Sequence, residues 1–319
     1  MISFFCCPKP FSGHNKVIQT NAIRSWTLLR PQPEIILLGD DEGTAEFARE
    51  LGLRHIPELE RNEFGTPMLP SVFRTAEAAA LHPFLCYINA DIILMNDFIT
   101  GVQRVIRDVG GQRFLIFGRR WDIEVRELLD FQKSGWEQEV LSRMRAESKL
   151  GGPDYFLYPK GLWTEIPPFA LGRSAWDFWL IYAARAMRVP VIEATPAVIV
   201  AHQAHDYAHI SGSKREFFKR DEVRRNLRLM PGPIFQFSPW DATHVLTRAG
   251  LRKAPLVYRL EGWLYKLRLR LNYFVQRPMS DESAPAHLFP VVLFDKAVTA
   301  LIRWLRALLR LAGLGTPKT

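Results

Sequence analysis

Apolar residues run through the first two thirds of this chain in short blocks separated by polar, helix-spaced stretches. Ile2–Cys7 is an apolar run closed by Pro8-Lys9-Pro10-Phe11, which predicts a buried strand followed by a loop. Asn15–Leu29 has helical spacing, with Val17, Ile18, Ala22 and Trp26 towards one side. Glu34–Leu38 reads as a second strand, Thr44–Leu51 and Leu69–Leu81 as helices, and Phe84–Ile88 as another buried strand. Phe98–Val109 continues as helix and Phe114–Phe117 as strand. This alternation predicts an α/β fold with a mostly parallel sheet flanked by helices.

Further along, Glu124 to Lys149 reads as one long polar helix ending at Gly151-Gly152-Pro153. Strands follow near Tyr155–Tyr158, Val191–Glu193 and Val198–Ala201, with a helix over Ser174–Met187 between them. Beyond Lys214 the chain turns basic and is broken by Pro231, Pro233, Pro239 and Pro255. The expected division is a domain over residues 1–235 and a basic, helical region over 236–319.

Charge sharpens that division. The chain of 319 residues carries a formal net charge of +9, with 48% hydrophobic and 24% charged residues. From Tyr258 onward there are ten Lys or Arg against four Asp or Glu, a net +6. Arg303, Arg306 and Arg310 recur at helical spacing among Leu301, Trp304, Leu305, Leu308 and Leu311, the pattern of a basic helix lying in a membrane interface. Such a tail points to an anionic membrane surface, not to nucleic acid. Packing of these helices on the body or on a second subunit stands as the alternative. No uncharged apolar run is long enough to span a bilayer, and no signal peptide is read at the start. The three cysteines, Cys6, Cys7 and Cys86, sit in apolar strand-like runs and favour a reducing, cytoplasmic setting.

The candidate chemistry clusters at strand ends. Phe84–Ile88 stops at Asn89-Ala90-Asp91, and apolar residues resume at Ile92. A carboxylate inside so apolar a segment is costly unless paired, protonated or bound to a cation. At the carboxyl end of a sheet strand, where ligands bind, Asp91 is suited to hold a divalent metal. A turn aspartate is the plain alternative. His202-Gln203-Ala204-His205-Asp206-Tyr207-Ala208-His209 follows another apolar run and offers imidazoles for a metal, a diphosphate or proton transfer. His202, directly after the strand, is the best fixed; His205 and His209 are further candidates.

Ser174 predicts an N-cap with its helix starting at Ala175, which sets Asp177 at the third helical position. Asp177 there serves the helix start or takes a proton from an acceptor hydroxyl. Trp176 beside it offers a face for a sugar ring or is plain core. Asp154 after Gly151-Gly152-Pro153 can bond sugar hydroxyls, and Asp40 and Asp41 within Gly39-Asp40-Asp41-Glu42-Gly43 can meet a nucleoside. Both segments also read as ordinary turns. The spacing of a dinucleotide-binding glycine fingerprint is missing.

In order, the chain shows Lys-Pro-Phe, Asn-Ala-Ile-Arg-Ser-Trp, Gly-Asp-Asp-Glu-Gly, Gly65-Thr66-Pro67 and Tyr-Ile-Asn-Ala-Asp-Ile. Gly-Arg-x-x-Trp-Asp-x-Trp-Leu-Ile and His-Gln-x-His-Asp-Tyr-x-His come later. Across residues 1–212 this resembles the nucleotide-diphospho-sugar transferases of the GT-A glycosyltransferase fold. The resemblance implies a Rossmann-like mixed sheet and transfer of a sugar from a nucleotide sugar to a glycan or lipid-linked acceptor, as in polysaccharide biosynthesis. It implies Asp91, with His202, as ligands of Mn²⁺ or Mg²⁺ on the donor diphosphate. Asn89 would be nearby, Asp40 or Asp41 at the nucleoside, and Asp177 would be the base of an inverting reaction. Arg173 would neutralise phosphate charge or pair with Asp177. Asn89 departs from a strict Asp-X-Asp. A metal-dependent hydrolase or phosphotransferase built on Asp91, His202, His205 and His209, and a non-catalytic membrane-associated scaffold, are the rival readings. The sugar, the acceptor and the oligomeric state are not written in the sequence.

Overall fold

The structure, a computed structural model, describes residues 1–144, 152–204, 220–232 and 237–276, with the single positions 300, 304 and 308. The chain runs β1 (Ile2–Cys6), α1 (Gly13–Thr27), β2 (Glu34–Leu38), α2 (Thr44–Leu51), β3 (Arg54–Ile56), α3 (Leu69–Ala79) and β4 (Phe84–Ile88). It continues through β5 (Ile92–Leu94), α4 (Asp97–Val109), β6 (Leu115–Arg119), β7 (Trp121–Ile123), α5 (Trp136–Ser142), β8 (Pro153–Pro159) and α6 (Trp176–Ala186). Next come β9 (Val191–Glu193), β10 (Val200–Gln203), α7 (Asp221–Leu229), β11 (His244–Thr247), β12 (Gly250–Lys253) and α8 (Leu256–Gln276).

Nine strands form one mixed sheet in the order β12-β11-β9-β6-β8-β4-β1-β2-β3. Five of its eight pairings are parallel; β8 runs antiparallel to β4 and β6, and β12 antiparallel to β11. The expected α/β architecture with a mostly parallel sheet is thus found. A second sheet, β5-β10-β7, stands beside it. It places the segment just after Asn89-Ala90-Asp91 antiparallel to the strand carrying His202.

Strand periodicity builds a core on each face of the main sheet. Phe4, Cys6, Ile35, Leu37, Cys86 and Ile88 face α1 and α4, where Phe4 meets Trp26 and Phe98 edge-on at 6.0 and 5.5 Å. Phe5, Ile36, Leu38, Leu85 and Tyr87 face α3 and α6. Trp26 Nε1 donates to the Ile92 carbonyl at 2.8 Å, tying α1 to the start of β5.

Two expectations change. The polar stretch from Glu124 is not a long helix; only Trp136–Ser142 is helical among its described residues. Asn21 on α1 explains this, since its Nδ2 donates to the Glu127 carbonyl at 3.0 Å and its Oδ1 accepts from Leu129 N at 2.9 Å. Those side-chain bonds satisfy the backbone there in place of helical ones. Gly135, at φ 89°, then starts α5. Second, β11 pairs with β9 and β12 with β11, so the main sheet continues past residue 235, the expected end of the first domain. Among the described residues no helix is long and apolar enough to cross a membrane.

A candidate donor cleft and its charged floor

A cleft of about 420 Å³ opens at the carboxyl ends of β1, β4 and β6, the edge at which open α/β sheets bind ligands. The loop after β1 contributes Cys7, Pro8, Lys9 and Pro10. Gln19 on α1 fixes that loop by accepting from Lys9 N at 2.6 Å and donating to the Lys9 carbonyl at 2.9 Å. Asp41, Arg61 and Thr66 form one wall, and Leu171, Gly172, Arg173 and Trp176 another. Asn89, Asp91, Arg120 and His202 form the floor.

The floor is a chain of charges. His202 Nε2 lies 3.5 Å from Asp91 Oδ2, and its Nδ1 lies 2.8 Å from Asp122 Oδ1. Burial pulls the imidazolium down, but the bonds to Asp122 and Asp91 outweigh it and push the His202 pKa up to about 9. The His202 bond holds the Asp122 carboxyl below its ordinary value. Arg120 lies 3.3 Å from Asp122 through Nε, and its Nη1 bonds both Asp154 oxygens at 2.9 and 3.0 Å. Burial raises Asp154 against the opposing pull of Arg120. Asn89 Nδ2 donates to Asp154 Oδ1 at 2.8 Å, while its own Oδ1 accepts from the Tyr87 hydroxyl at 3.0 Å.

These residues fit a divalent cation. A carboxylate oxygen and an imidazole nitrogen face one another at 3.5 Å, and the other ring nitrogen is held by a carboxylate, the usual way of orienting a ligating histidine. Among the described residues no group of three His, Cys, Asp or Glu side chains gathers as a complete cage. An ion here would therefore complete its shell with donor oxygens or water.

The sequence candidates meet this geometry unequally. Asp91, His202, Arg173, Asp41 and Trp176 all line the cleft. Asn89 lines it too, but its amide is committed to Asp154 and Tyr87 and works as a strut. Asp154 is buried behind the floor under Arg120. Asp40 projects into solvent and pairs with Arg61, which also reaches Asp41 at 3.4 Å. Arg173 pairs with Glu222 at 2.7 Å, not with Asp177. His205 and His209 lie outside the described residues.

Asp177 sits at the second position of α6, not the third, because the helix starts at Trp176 with Ala175 as N-cap. Ala175 takes φ 95°, and neither it nor Ser174 provides a side-chain cap. Ala175, buried in the core next to Trp176, thus carries backbone strain. Asp177 is not among the residues that line the cleft, although Trp176 before it is; a Cβ on Gly152 would lie 3.6 Å from its Oδ2. Burial, with Asp154 adding to it, raises the Asp177 pKa to about 6.

Four residues of this site escaped sequence reasoning: Arg120, Asp122, Glu222 and Arg61. The first two stand in Arg119-Arg120-Trp121-Asp122 at the end of an apolar strand. That strand-end position was the available signal.

No family model matches this sequence, and no curated protein matches it. Solved structures similar in fold include residues 1–349 of S. aureus TarS in complex with UDP-GlcNAc. That pair is 13% identical and covers 69% of this chain and 64% of that one, with a TM-score of 0.45. A longer S. aureus TarS is 15% identical over 64% of this chain and 36% of that one, with a TM-score of 0.42. M. tuberculosis glucosyl-3-phosphoglycerate synthase, solved with Mn²⁺, UDP and phosphoglyceric acid, is 17% identical over 68% of this chain and 76% of that one, with a TM-score of 0.42. This chain spans less than two thirds of either TarS structure.

Proposed function

We propose that this chain is a glycosyltransferase that uses a nucleotide-sugar donor with a divalent metal ion. The observation that carries the reading is the Asp91–His202 pair, 3.5 Å apart on the floor of a cleft lined by Arg61, Arg120 and Arg173. A carboxylate and an imidazole ringed by guanidinium groups suit a metal-bridged diphosphate better than a neutral ligand. Asp91 and His202 would hold Mn²⁺ or Mg²⁺, with Asp122 orienting the histidine. Bound there, the ion supplies Lewis-acid stabilisation of the departing nucleoside diphosphate.

Asp41, on the wall beside the loop after β1, is the residue proposed to meet the nucleoside, with Asp40 holding Arg61. Asp177 is the proposed base. Its carboxylate takes the proton of an acceptor hydroxyl while that oxygen bonds the anomeric carbon and the sugar–diphosphate bond breaks, an inverting outcome. Its raised pKa suits proton transfer near neutral pH. Trp176, which precedes Asp177, lines the cleft wall and is otherwise packed against Tyr87 and Phe156; an aromatic ring at that wall suits a sugar ring.

The acceptor proposed is a glycan or lipid-linked sugar met at an anionic membrane surface. Leu256, Arg259 and Trp263 recur at helical spacing on α8, and Leu256 and Trp263 are 65% and 58% exposed. Apolar bodies flanking a cation fit the headgroup boundary of a bilayer. Sedimentation with anionic but not neutral liposomes, weakened by Trp263→Ala, is the expected result; equal recovery in the supernatant removes the membrane part of the reading.

The donor reading is tested by thermal melting with a panel of nucleoside diphosphates and nucleotide sugars, with and without Mn²⁺, on the wild type and Asp91→Ala. A ligand at about 100 times its Kd adds roughly 2.7 kcal/mol. A shift that needs both metal and nucleotide, and is lost in Asp91→Ala, is expected. A shift with metal alone points instead to a metal-dependent hydrolase, and no shift at all points to a scaffold.

A further inference from the structure

The cleft holds three arginines, and each is gripped by an acid from another segment: Arg61 by Asp40, Arg120 by Asp154, and Arg173 by Glu222. The last acid comes from α7, in the basic stretch beyond Lys214. Glu222 is buried although it belongs to a helix with four exposed neighbours of its own charge or the opposite one, Asp221, Arg224, Arg225 and Arg228. Its Oε2 accepts from Arg173 Nε at 2.8 Å and Nη2 at 2.7 Å, and its Oε1 accepts from Asn62 Nδ2 at 2.8 Å. Arg173 Nη2 also reaches Thr66 Oγ1 at 3.2 Å. One carboxylate thereby joins both walls of the cleft.

This grip uses one edge of the guanidinium. Among the described residues Arg173 Nη1 has no protein partner, while Arg173 lines the cleft. A guanidinium presents its donors in a rigid plane, so fixing Nε and Nη2 also fixes Nη1. An arginine free in solvent loses rotamer entropy when it binds phosphate; one already held does not. The carboxylate lowers the local positive charge, yet it removes that ordering cost and leaves Nη1 available to a ligand.

We propose that Glu222 is a positioning residue that presents Arg173 to a phosphate group of the donor, an inference that rests on the nucleotide-sugar reading above. α7 does not depend on Glu222 for its place. One turn later Asn226 accepts from Ala170 N at 2.9 Å and donates to the Ala170 and Ser174 carbonyls at 3.0 and 3.2 Å. Removing the Glu222 carboxylate therefore leaves the helix docked and frees Arg173.

The test is a double-mutant cycle read by calorimetric titration of nucleoside diphosphates with Mn²⁺ into the wild type, Glu222→Ala, Arg173→Ala and the double variant. Each single variant is expected to bind about tenfold more weakly, and the double no more weakly than Arg173→Ala alone. Glu222→Gln, which keeps the shape and an acceptor oxygen, is expected to recover part of the loss, and it replaces Glu222→Ala if that variant melts early. Losses that multiply in the double variant, or unchanged affinity in Glu222→Ala, overturn the proposal while leaving the donor site in place. A wild type that binds none of the nucleotides overturns the functional reading and this proposal together.

Discussion

Asp122 holds His202 from behind: the Nδ1 of His202 lies 2.8 Å from Asp122 Oδ1, so the ring's Nε2 is aimed at Asp91, 3.5 Å away. The two residues are 80 positions apart and meet because β10 lies parallel to β7, with His202 directly opposite Asp122. Strand register, not sequence proximity, builds the candidate metal site.

The register sets a pH dependence. The His202 pKa rises from 6.5 to about 9 on folding, so its stabilisation is fully present below pH 6.5 and is lost as pH climbs through 9. The shift corresponds to a contribution on the order of 3 kcal/mol. Melting temperature without metal should fall between pH 6.5 and 9, and His202→Gln should flatten that fall. A metal must displace the same proton, so Mn²⁺ affinity should tighten with rising pH over that window. Asp122→Asn should weaken Mn²⁺ binding by about 10–100-fold, the usual effect of removing a carboxylate behind a ligating histidine. Melting curves and metal titrations at several pH values check all three.

Asn89 occupies the place where the resemblance would have an aspartate, and the structure gives a reason. Its Nδ2 donates to Asp154 Oδ1 at 2.8 Å, so a carboxylate there would face a second, buried carboxylate across a hydrogen-bond distance. Arg120 is already engaged by Asp154 and Asp122. Asn89→Asp should lower stability by about 3 kcal/mol at neutral pH without tightening Mn²⁺ binding. The loss should shrink as pH falls, because the crowded pair has a raised pKa and is relieved by taking up a proton. Chemical denaturation at pH 5 and pH 8 reads the difference; a variant that binds Mn²⁺ more tightly contradicts the strut role.

What the sequence shows and hides follows from this geometry. Asp91 was legible because a carboxylate interrupts an apolar run, and His202 because it directly follows one. The α/β alternation was legible because strand and helix periods differ. Asp122 and Arg120 were not, since Arg-Arg-Trp-Asp reads as a solvated strand end until β10 is laid beside it. Glu222 hid inside a basic helix for the same reason: its partners, Asn62 and Arg173, are distant in sequence. The false helix from Glu124 arose because polar spacing cannot reveal that Asn21 on α1 captures the backbone at 127 and 129.

Asp177 should leave its signature in the rate. Its pKa is raised by burial to about 6, so a reaction that uses it as base should lose turnover as pH falls through 6, not through 4. Asp177→Asn should keep donor affinity, lower turnover by about 10²-fold or more, and abolish that acid limb. The stability slope has the same sign as that of His202, in a lower pH window. An acid whose pKa is raised on folding costs stability as pH rises from about 4 to 6, so Asp177→Asn should melt higher than wild type above pH 6. A variant that turns over normally removes Asp177 as the base.

Gly101 lies within α4, where alanine is normally preferred by about 1 kcal/mol. Here a Cβ would stand 2.6 Å from Val198 Cγ2 and 3.2 Å from Leu246 Cδ2. Val198 is buried and stiff about χ1, so it cannot swing aside, and overpacking of this kind costs about 1–3 kcal/mol. Gly101→Ala should therefore destabilise, with the melting midpoint lower despite the gain in helix propensity.

The Leu246 contact bears on where the folded unit ends. Leu246 lies on β11, beyond the expected division at residue 235, and packs into the same core as Phe98 and Val102. Further on, the Tyr258 hydroxyl on α8 donates to Glu193 Oε2 at 2.9 Å, deep at the end of β9. Glu193 is fully buried, with Thr195 N on its other oxygen at 3.1 Å and Arg119 Nε 3.8 Å away. Lys266 pairs with Asp241 at the turn over Pro239–Asp241 and stands 4.0 Å from the Phe237 ring. A chain ending at 235 would strip β11 and β12 from the sheet and leave the buried Glu193 without its tyrosine. It should lose its cooperative melt, whereas a chain ending at 276 should keep one. Calorimetry on the two truncations decides it: a sharp transition from residues 1–235 alone would show that β11, β12 and α8 are ornaments on a body complete without them.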